Sequence, residues 1–237
     1  GAAILGAVLF LLVPTGLVIA RGAPEIAQLP ASVWRAAGAS LLVAAASTVL
    51  ALAMTLALAL WGAHGGRVAR GSETVLSSLT LTASPLVMGT GLFILLFPFV
   101  DPQALALPVT VCVNAAIIVP FALRSVAPAL AAVEEAYGRL GDSLGLTGWP
   151  RLRLLILPRL RRPLGFTAGL AAALSMGDLG VIALFADPEV ATLPLAMYRL
   201  MGAYQMDAAA GAGCLLVLLS FGLFWLLDRG GRVNADA

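Results

Sequence analysis

The sequence predicts an all-α fold, a single polytopic membrane domain over residues 1–237 built as a bundle of six transmembrane helices. Three observations carry that prediction. Apolar residues fill 61% of the chain and charged residues only 11%, less than half the share of a soluble domain. Mean hydropathy is +1.01. The apolar residues also gather into runs, each near the length of about 20 residues that a helix needs to cross a hydrocarbon core. A soluble fold of this size could not cover its surface with so few charges, whereas lipid removes that demand.

Six runs qualify: 3–20, 37–62, 77–100, 105–123, 164–186 and 208–227. The first opens directly after Gly1 without the basic region and cleavage site of a signal peptide, so the chain reads as part of a longer polypeptide. Pro14, Pro85 and Pro120 are expected to interrupt the first, third and fourth helices, breaks that packed membrane helices tolerate. Cys112 and Cys214 lie inside apolar runs, where thiols behave as small hydrophobes, and imply no disulfide framework. His64 closes the second run beside Gly65 and Gly66 and reads as a loop residue. Without HExxH, CxxC or a Cys/His cluster there is no case for a metal site.

Arginine sets the orientation. All 14 basic residues are Arg, and alternation through six spans puts eleven on one side and three, Arg21, Arg35 and Arg199, on the other. The positive-inside rule then makes the Arg-rich side and both termini cytoplasmic, as for a bacterial inner-membrane protein. The missing Lys also excludes a Walker phosphate loop and Schiff-base chemistry, so the chain is expected to have no ATPase site of its own and to be no enzyme.

Two segments outside the spans have patterns of their own. From Leu130, apolar residues recur at Val133, Tyr137, Leu140 and Leu144, one stripe of a helix, with Glu134, Glu135, Arg139 and Asp142 on the remaining surface. A break at Gly145–Gly148 precedes Trp149 and Pro150, a helix start, and this Arg-rich second piece is expected to end near Leu157–Pro158. The cytoplasmic segment, about 125–163, thus reads as two short helices joined by a turn. On the outer side, about 187–206, Thr192-Leu193-Pro194 reads as the start of an interfacial helix, with Leu193, Met197, Leu200, Met201 and Tyr204 on one face.

Within the fifth run stands Ser175-Met176-Gly177-Asp178-Leu179-Gly180. An ionisable group inside a span is costly and marks a functional candidate. Asp178 is expected on the face of its helix turned to the bundle interior, lining a solute pathway or outer gate with Ser175, Gly177 and Asn114.

The stretch 134–163 resembles the cytoplasmic loop by which permeases of ATP-binding cassette importers dock onto their ATPase subunits. That family's pattern is Glu-Ala-Ala, three residues, Gly, nine residues, an aliphatic, one residue, then Leu-Pro. Gly145, nine residues, then Leu155-Ile156-Leu157-Pro158 match its second half. Its first half departs, with Arg139-Leu140-Gly141 in place of Glu-Ala-Ala and Glu135-Ala136-Tyr137 four residues earlier. The runs Gly177-Asp178-Leu179-Gly180-Val181-Ile182, Thr192-Leu193-Pro194, Met197-Tyr198-Arg199 and Gly202-Ala203-Tyr204 are similar to thiamine importer permeases. So are Arg151-Leu152-Arg153-Leu154 and Arg161-Arg162-Pro163-Leu164. The resemblance implies a type I importer permease fold and the C-terminal half of a two-half polypeptide. It implies Arg139, Leu140, Asp142, Leu144, Gly145, Trp149, Leu157 and Pro158 as the coupling surface. ATP and Mg would sit in partner ATPase subunits, and an extracytoplasmic binding protein would deliver thiamine or its phosphates. The second permease half and the lipid bilayer complete the expected partners, with no nucleic acid. Related ferric-iron permeases are the nearest alternative.

Two other classes fit less well. An intramembrane aspartyl protease needs two carboxylates at one site, and the other runs hold no second buried Asp. A secondary transporter also uses midplane carboxylates and broken helices, but has no need of the Gly145-to-Pro158 segment.

Overall fold

The computed structural model describes residues 2–65, 84–99, 105–185 and 191–233. The expectations for the loop bearing Arg67 and Arg70, for 77–83 and for 187–190 lie outside the described residues. Among the described residues there is no strand, and the chain is an all-α, polytopic membrane bundle.

Helix α1 (Ala2–Gly22) leads through a 3-10 turn at Ile26–Gln28 into α2 (Ala31–His64). Then come α3 (Pro85–Leu96) and α4 (Ala106–Ser143). Gly148–Pro150, a π-type stretch Arg151–Ile156 and Leu157–Met176 run on as one helix, α5. The short α6 (Ile182–Phe185), then α7 (Leu193–Gly202) and α8 (Met206–Val233) complete the order. Among the described residues α1, α2, α4 and α8 are long and apolar enough to cross a membrane, and α3 is a shorter apolar helix. A helix closes its own backbone hydrogen bonds, which is the condition for crossing lipid.

Helices α2, α4 and α5 pack on one another, and α8 packs on α5, α1 and α7. Near the Arg-rich end the core is Ala59 of α2, Val119, Leu123, Val126 and Leu130 of α4, and Ile156 and Leu160 of α5. At mid-bundle the three helices meet through small residues, including Ala51, Ala115 and Ala171. Between α5 and α8 the backbones approach so closely that a Cβ on Gly165 would lie 2.7 Å from the Cα of Gly231. Helix α1 behaves differently. It is exposed on every face from Ile4 to Leu17 and meets α8 only near its end, where Gly22 lies against Ala210 and Cys214. An all-round apolar surface of this kind suits a membrane span.

Three sequence expectations need correction. Pro14 and Pro120 do not interrupt their helices, which run through them, while Pro85 stands in the first turn of α3, where its missing N–H has no helical partner to lose. The fourth run and the first cytoplasmic helix are one element, α4, because Leu123, Val126 and Leu130 keep the helix packed past the end of the apolar run. The second cytoplasmic piece does not stop at Leu157–Pro158 but continues into the fifth run. The π-type stretch widens the helix ahead of Pro158, whose ring would otherwise press on the carbonyl four residues back.

Candidate functional site

The end of α4, the turn 144–147 and the start of α5 form a knob. Gly145 makes the turn. Its φ of 66° lies in the left-handed region that costs other L-residues about 1–2 kcal/mol. The N–H of Leu146 donates to Gly141 O at 2.9 Å and that of Gly145 to Asp142 O at 3.1 Å, the paired bonds of a Schellman cap.

Arg151, on the first turn of α5, clamps the two helices. Its Nη2 donates to Glu134 Oε2 and its Nη1 to Asp142 Oδ1, both at 2.5 Å. The planar guanidinium can serve two carboxylates at once, which an ammonium cannot do with the same geometry. These bonds, Glu134 first and Asp142 second, hold the Arg151 guanidinium even more firmly protonated than an ordinary arginine. Gly138 and Gly141 leave the space: a Cβ on either would press on Arg151, Glu134 or Leu155. On the same side Arg159 lies over the Tyr137 ring, 4.0 Å from its centroid.

The predicted apolar stripe divides. Leu130 is buried and Val133 packs against the core, but Tyr137, Leu140 and Leu144 are open. Leu144 is 64% exposed and Trp149 66%, and Leu154 is exposed as well. A cleft of about 400 Å³ lies under this surface, lined by Leu60, Trp149, Arg151, Leu152 and Ile156. Arg139 is exposed, whereas Leu157 and Pro158 are half-buried within α5. The knob is therefore a rigid tip with an apolar face. Sequence reading assigned Glu134 to the open surface and missed Arg151 as its partner. The seventeen-residue separation, 134 to 151, crosses a turn whose path only the Schellman cap defines.

Of the interior residues, Asn114 and Ser175 meet. Asn114 Nδ2 donates to Ser175 Oγ at 2.9 Å, tying α4 to α5 between two buried side chains. Asp178 is not within a helix: α5 ends at Met176, the exposed Gly177 follows, and Asp178 sits in the turn after it. Its Oδ1 accepts from the Gly180 N–H at 3.2 Å, while Oδ2 is buried without a hydrogen-bond partner. Its backbone N–H donates to Ser175 O at 3.4 Å, but its carboxylate does not join the Asn114–Ser175 side-chain pair. A carboxylate that closes the turn by accepting its own chain's N–H ends the helix there, which period counting alone did not detect.

At the opposite end of the bundle, the buried Ser40 of α2 accepts from the N–H of Leu193 at 2.8 Å and so caps α7 from another helix. Leu193 is buried, Met197 and Leu200 pack into the core, and Met201 and Tyr204 remain exposed. The residue read as the helix start, Thr192, gives no side-chain cap.

No family model matches the chain. Among curated proteins, the thiamine transport system permease protein of Brucella abortus is 39% identical over 207 residues, 86% of this chain and 38% of its own length. That of Salmonella typhimurium is 34% identical over 232 residues, 94% of this chain and 43% of its own. That of Escherichia coli is 33% identical over 241 residues, 97% of this chain and 45% of its own. The chain thus spans less than half the length of the curated relatives it matches.

Proposed function

We infer that this chain, a member of the thiamine transport permease family over most of its length, forms one permease half of an ATP-driven importer for thiamine or its phosphates. One observation carries the mechanism: an exposed apolar knob stands at the tip of two helices that run unbroken into the bundle. Helix α4 has 38 residues, and α5 returns from the same turn. A displacement at Leu144 therefore acts on a rod reaching about 45 Å to Asn114, at 1.5 Å per residue.

In this reading the knob faces the cytosol and seats in a groove of an ATPase subunit. Leu140, Leu144, Trp149 and Leu154 fill the groove, each large apolar side chain contributing about 1.5–3 kcal/mol before ordering costs. Arg151 keeps the tip from deforming when the partner pulls or pushes. Nucleotide-driven closure of the ATPases moves α4 and α5 together, because the Asn114–Ser175 bond and the small-residue contacts join them at mid-bundle. A binding protein delivers the solute from outside. Asp178, with one carboxylate oxygen held by its own turn and the other unpartnered, offers an acceptor to a cationic solute on its route.

The test uses the full-length protein with its ATPase subunits and binding protein in proteoliposomes. Leu144→Asp is expected to abolish binding-protein-stimulated ATP hydrolysis and thiamine uptake while leaving the folded permease intact. Uptake driven by an ion gradient without nucleotide, or normal stimulation in that variant, overturns the reading.

A further inference from the structure

Helix α2 carries a column of hydroxyls into the middle of the bundle. Ser47, Ala51, Thr55 and Ala59 stand four residues apart on one face, and Ser40 lies on that face seven residues before Ser47. All five are buried, Ser47 and Thr55 completely. Ser40 reaches a neighbouring element, where it accepts from the Leu193 N–H. The hydroxyls of Ser47 and Thr55 have no hydrogen-bond partner among the described residues.

On α5, Leu160, Leu164, Thr167, Ala171 and Ser175 recur three and four apart, one face of that helix. Leu160 shares a core with Ala59, and Ala171 shares one with Ala51. The two helices therefore run antiparallel, and the stretch between Ala51 and Ala59 stands level with that between Leu160 and Ala171. Thr55 and Thr167 fall in those stretches, on the packed faces. Thr167 is 2% exposed, and its hydroxyl also has no partner among the described residues.

A threonine in a helix has a refuge of its own, the carbonyl four residues back. Thr15, Thr90 and Thr110 take it, at 2.8, 2.7 and 2.7 Å. Thr55 and Thr167 do not, so their hydroxyls are turned from their own helices. A buried hydroxyl left without a partner is costly. Two of them at one level of one seam call for a group that serves both. The α2 side of the column, from Ser47 to Ala59, consists of small residues that leave the seam open to such a group.

We propose that the seam between α2 and α5 binds an ordered water molecule between Thr55 and Thr167. Water fits because it donates and accepts, as each hydroxyl does, and needs only polar partners within reach. Neither 51–59 nor 160–171 holds a carboxylate to balance a bound cation. The bridge ties α2 to α5 about two helical turns nearer the knob than Ser175. The proposal needs only the packing of these helices and is independent of what the chain transports.

The experiment is a density map of the full-length protein in nanodiscs, at a resolution that shows ordered water, together with Tm of variants. Density is expected between the two Oγ1 atoms, within about 3.0 Å of each. Thr55→Val and Thr167→Val keep the side-chain shape and remove one partner. Each is expected to lower Tm by about 2–4 °C. The double variant should lose less than the two single losses together. Thr55→Ser, which keeps the hydroxyl, should keep the water density. A map with no density between the hydroxyls overturns the proposal. So does one in which they bond each other, or turn back to Ala51 O and Pro163 O. A rise in Tm for Thr55→Val, the result of deleting an unsatisfied hydroxyl, overturns it as well. Should the valine variants fail to fold, the wild-type map decides alone, since it needs no substitution.

Discussion

Arg151 and Glu134 stand on different helices, seventeen positions apart in the chain, 134 to 151, and meet with Nη2 and Oε2 2.5 Å apart. Both side chains are largely covered, 15% and 19% exposed, so the pair is held in a partly dry setting rather than on open surface. Asp142, far more exposed, adds a second bond to the same guanidinium. One cation thus joins the end of α4 to the start of α5.

Replacing it strands two carboxylates. Arg151→Met is expected to lower stability by about 1.5–3 kcal/mol, the range for a hydrogen bond to a charged group, measured by thermal unfolding of the purified protein. Arg151→Lys restores less than half, because a single ammonium cannot fork between Glu134 and Asp142. The sign of the pH dependence follows from the guanidinium. Its pKa is raised in the fold, so its stabilisation is complete below the ordinary arginine range and is lost only above it. The difference between wild type and Arg151→Met should stay constant from about pH 7 to pH 10.

Gly145→Ala isolates backbone strain, since nothing lies within 4 Å of the added Cβ. The expected loss is about 1–2 kcal/mol, and Gly145→Asn should lose less, because Asn tolerates the left-handed region better. Equal stability of wild type and Gly145→Ala would show that the turn relaxes to another conformation. Hydrogen exchange at the Leu146 amide reports this directly.

Ser175→Ala removes the acceptor of Asn114 Nδ2 and leaves a buried amide group unpaired. The expected cost is about 1–3 kcal/mol. Combining it with Asn114→Ala should cost less than the sum of the single changes, a coupling of about 0.5–3 kcal/mol in a double-mutant cycle. Strict additivity would mean that the two side chains do not interact.

Ser40→Ala takes the cap from α7. Faster hydrogen exchange is expected at Leu193, whose N–H donates to the Ser40 hydroxyl, with little change in α2 itself. Unchanged exchange there would place the restraint on α7 in the packing of Leu193 and Leu200 instead.

Much of the fold was legible because lipid imposes a simple rule on composition. A helix that crosses a membrane must be apolar over its length, so the runs ending near Ala20, Trp61 and Leu123 announce α1, α2 and the inner part of α4. Gly145 was equally legible, since a glycine closing a 3–4 pattern and followed by Trp149-Pro150 marks a helix stop and a new start. The helix ends were not. Leu130 looked like the start of an amphipathic helix, yet it belongs to α4, because a stripe that continues in phase across Arg124 and Pro128 carries no mark of where lipid stops and protein contact begins.

The sequence by itself determined the all-α class, the membrane setting and the position of the turn, because those depend on local composition and on the backbone preference of single residues. Only the tertiary structure decided that Arg151 pairs with Glu134 and Asp142, that Asn114 meets Ser175, and that Ser40 caps α7. Each of these joins two helices, and the partner of a polar group across an interface is set by the rotation and height of both helices. A hydrophobic period fixes the first only roughly and the second not at all.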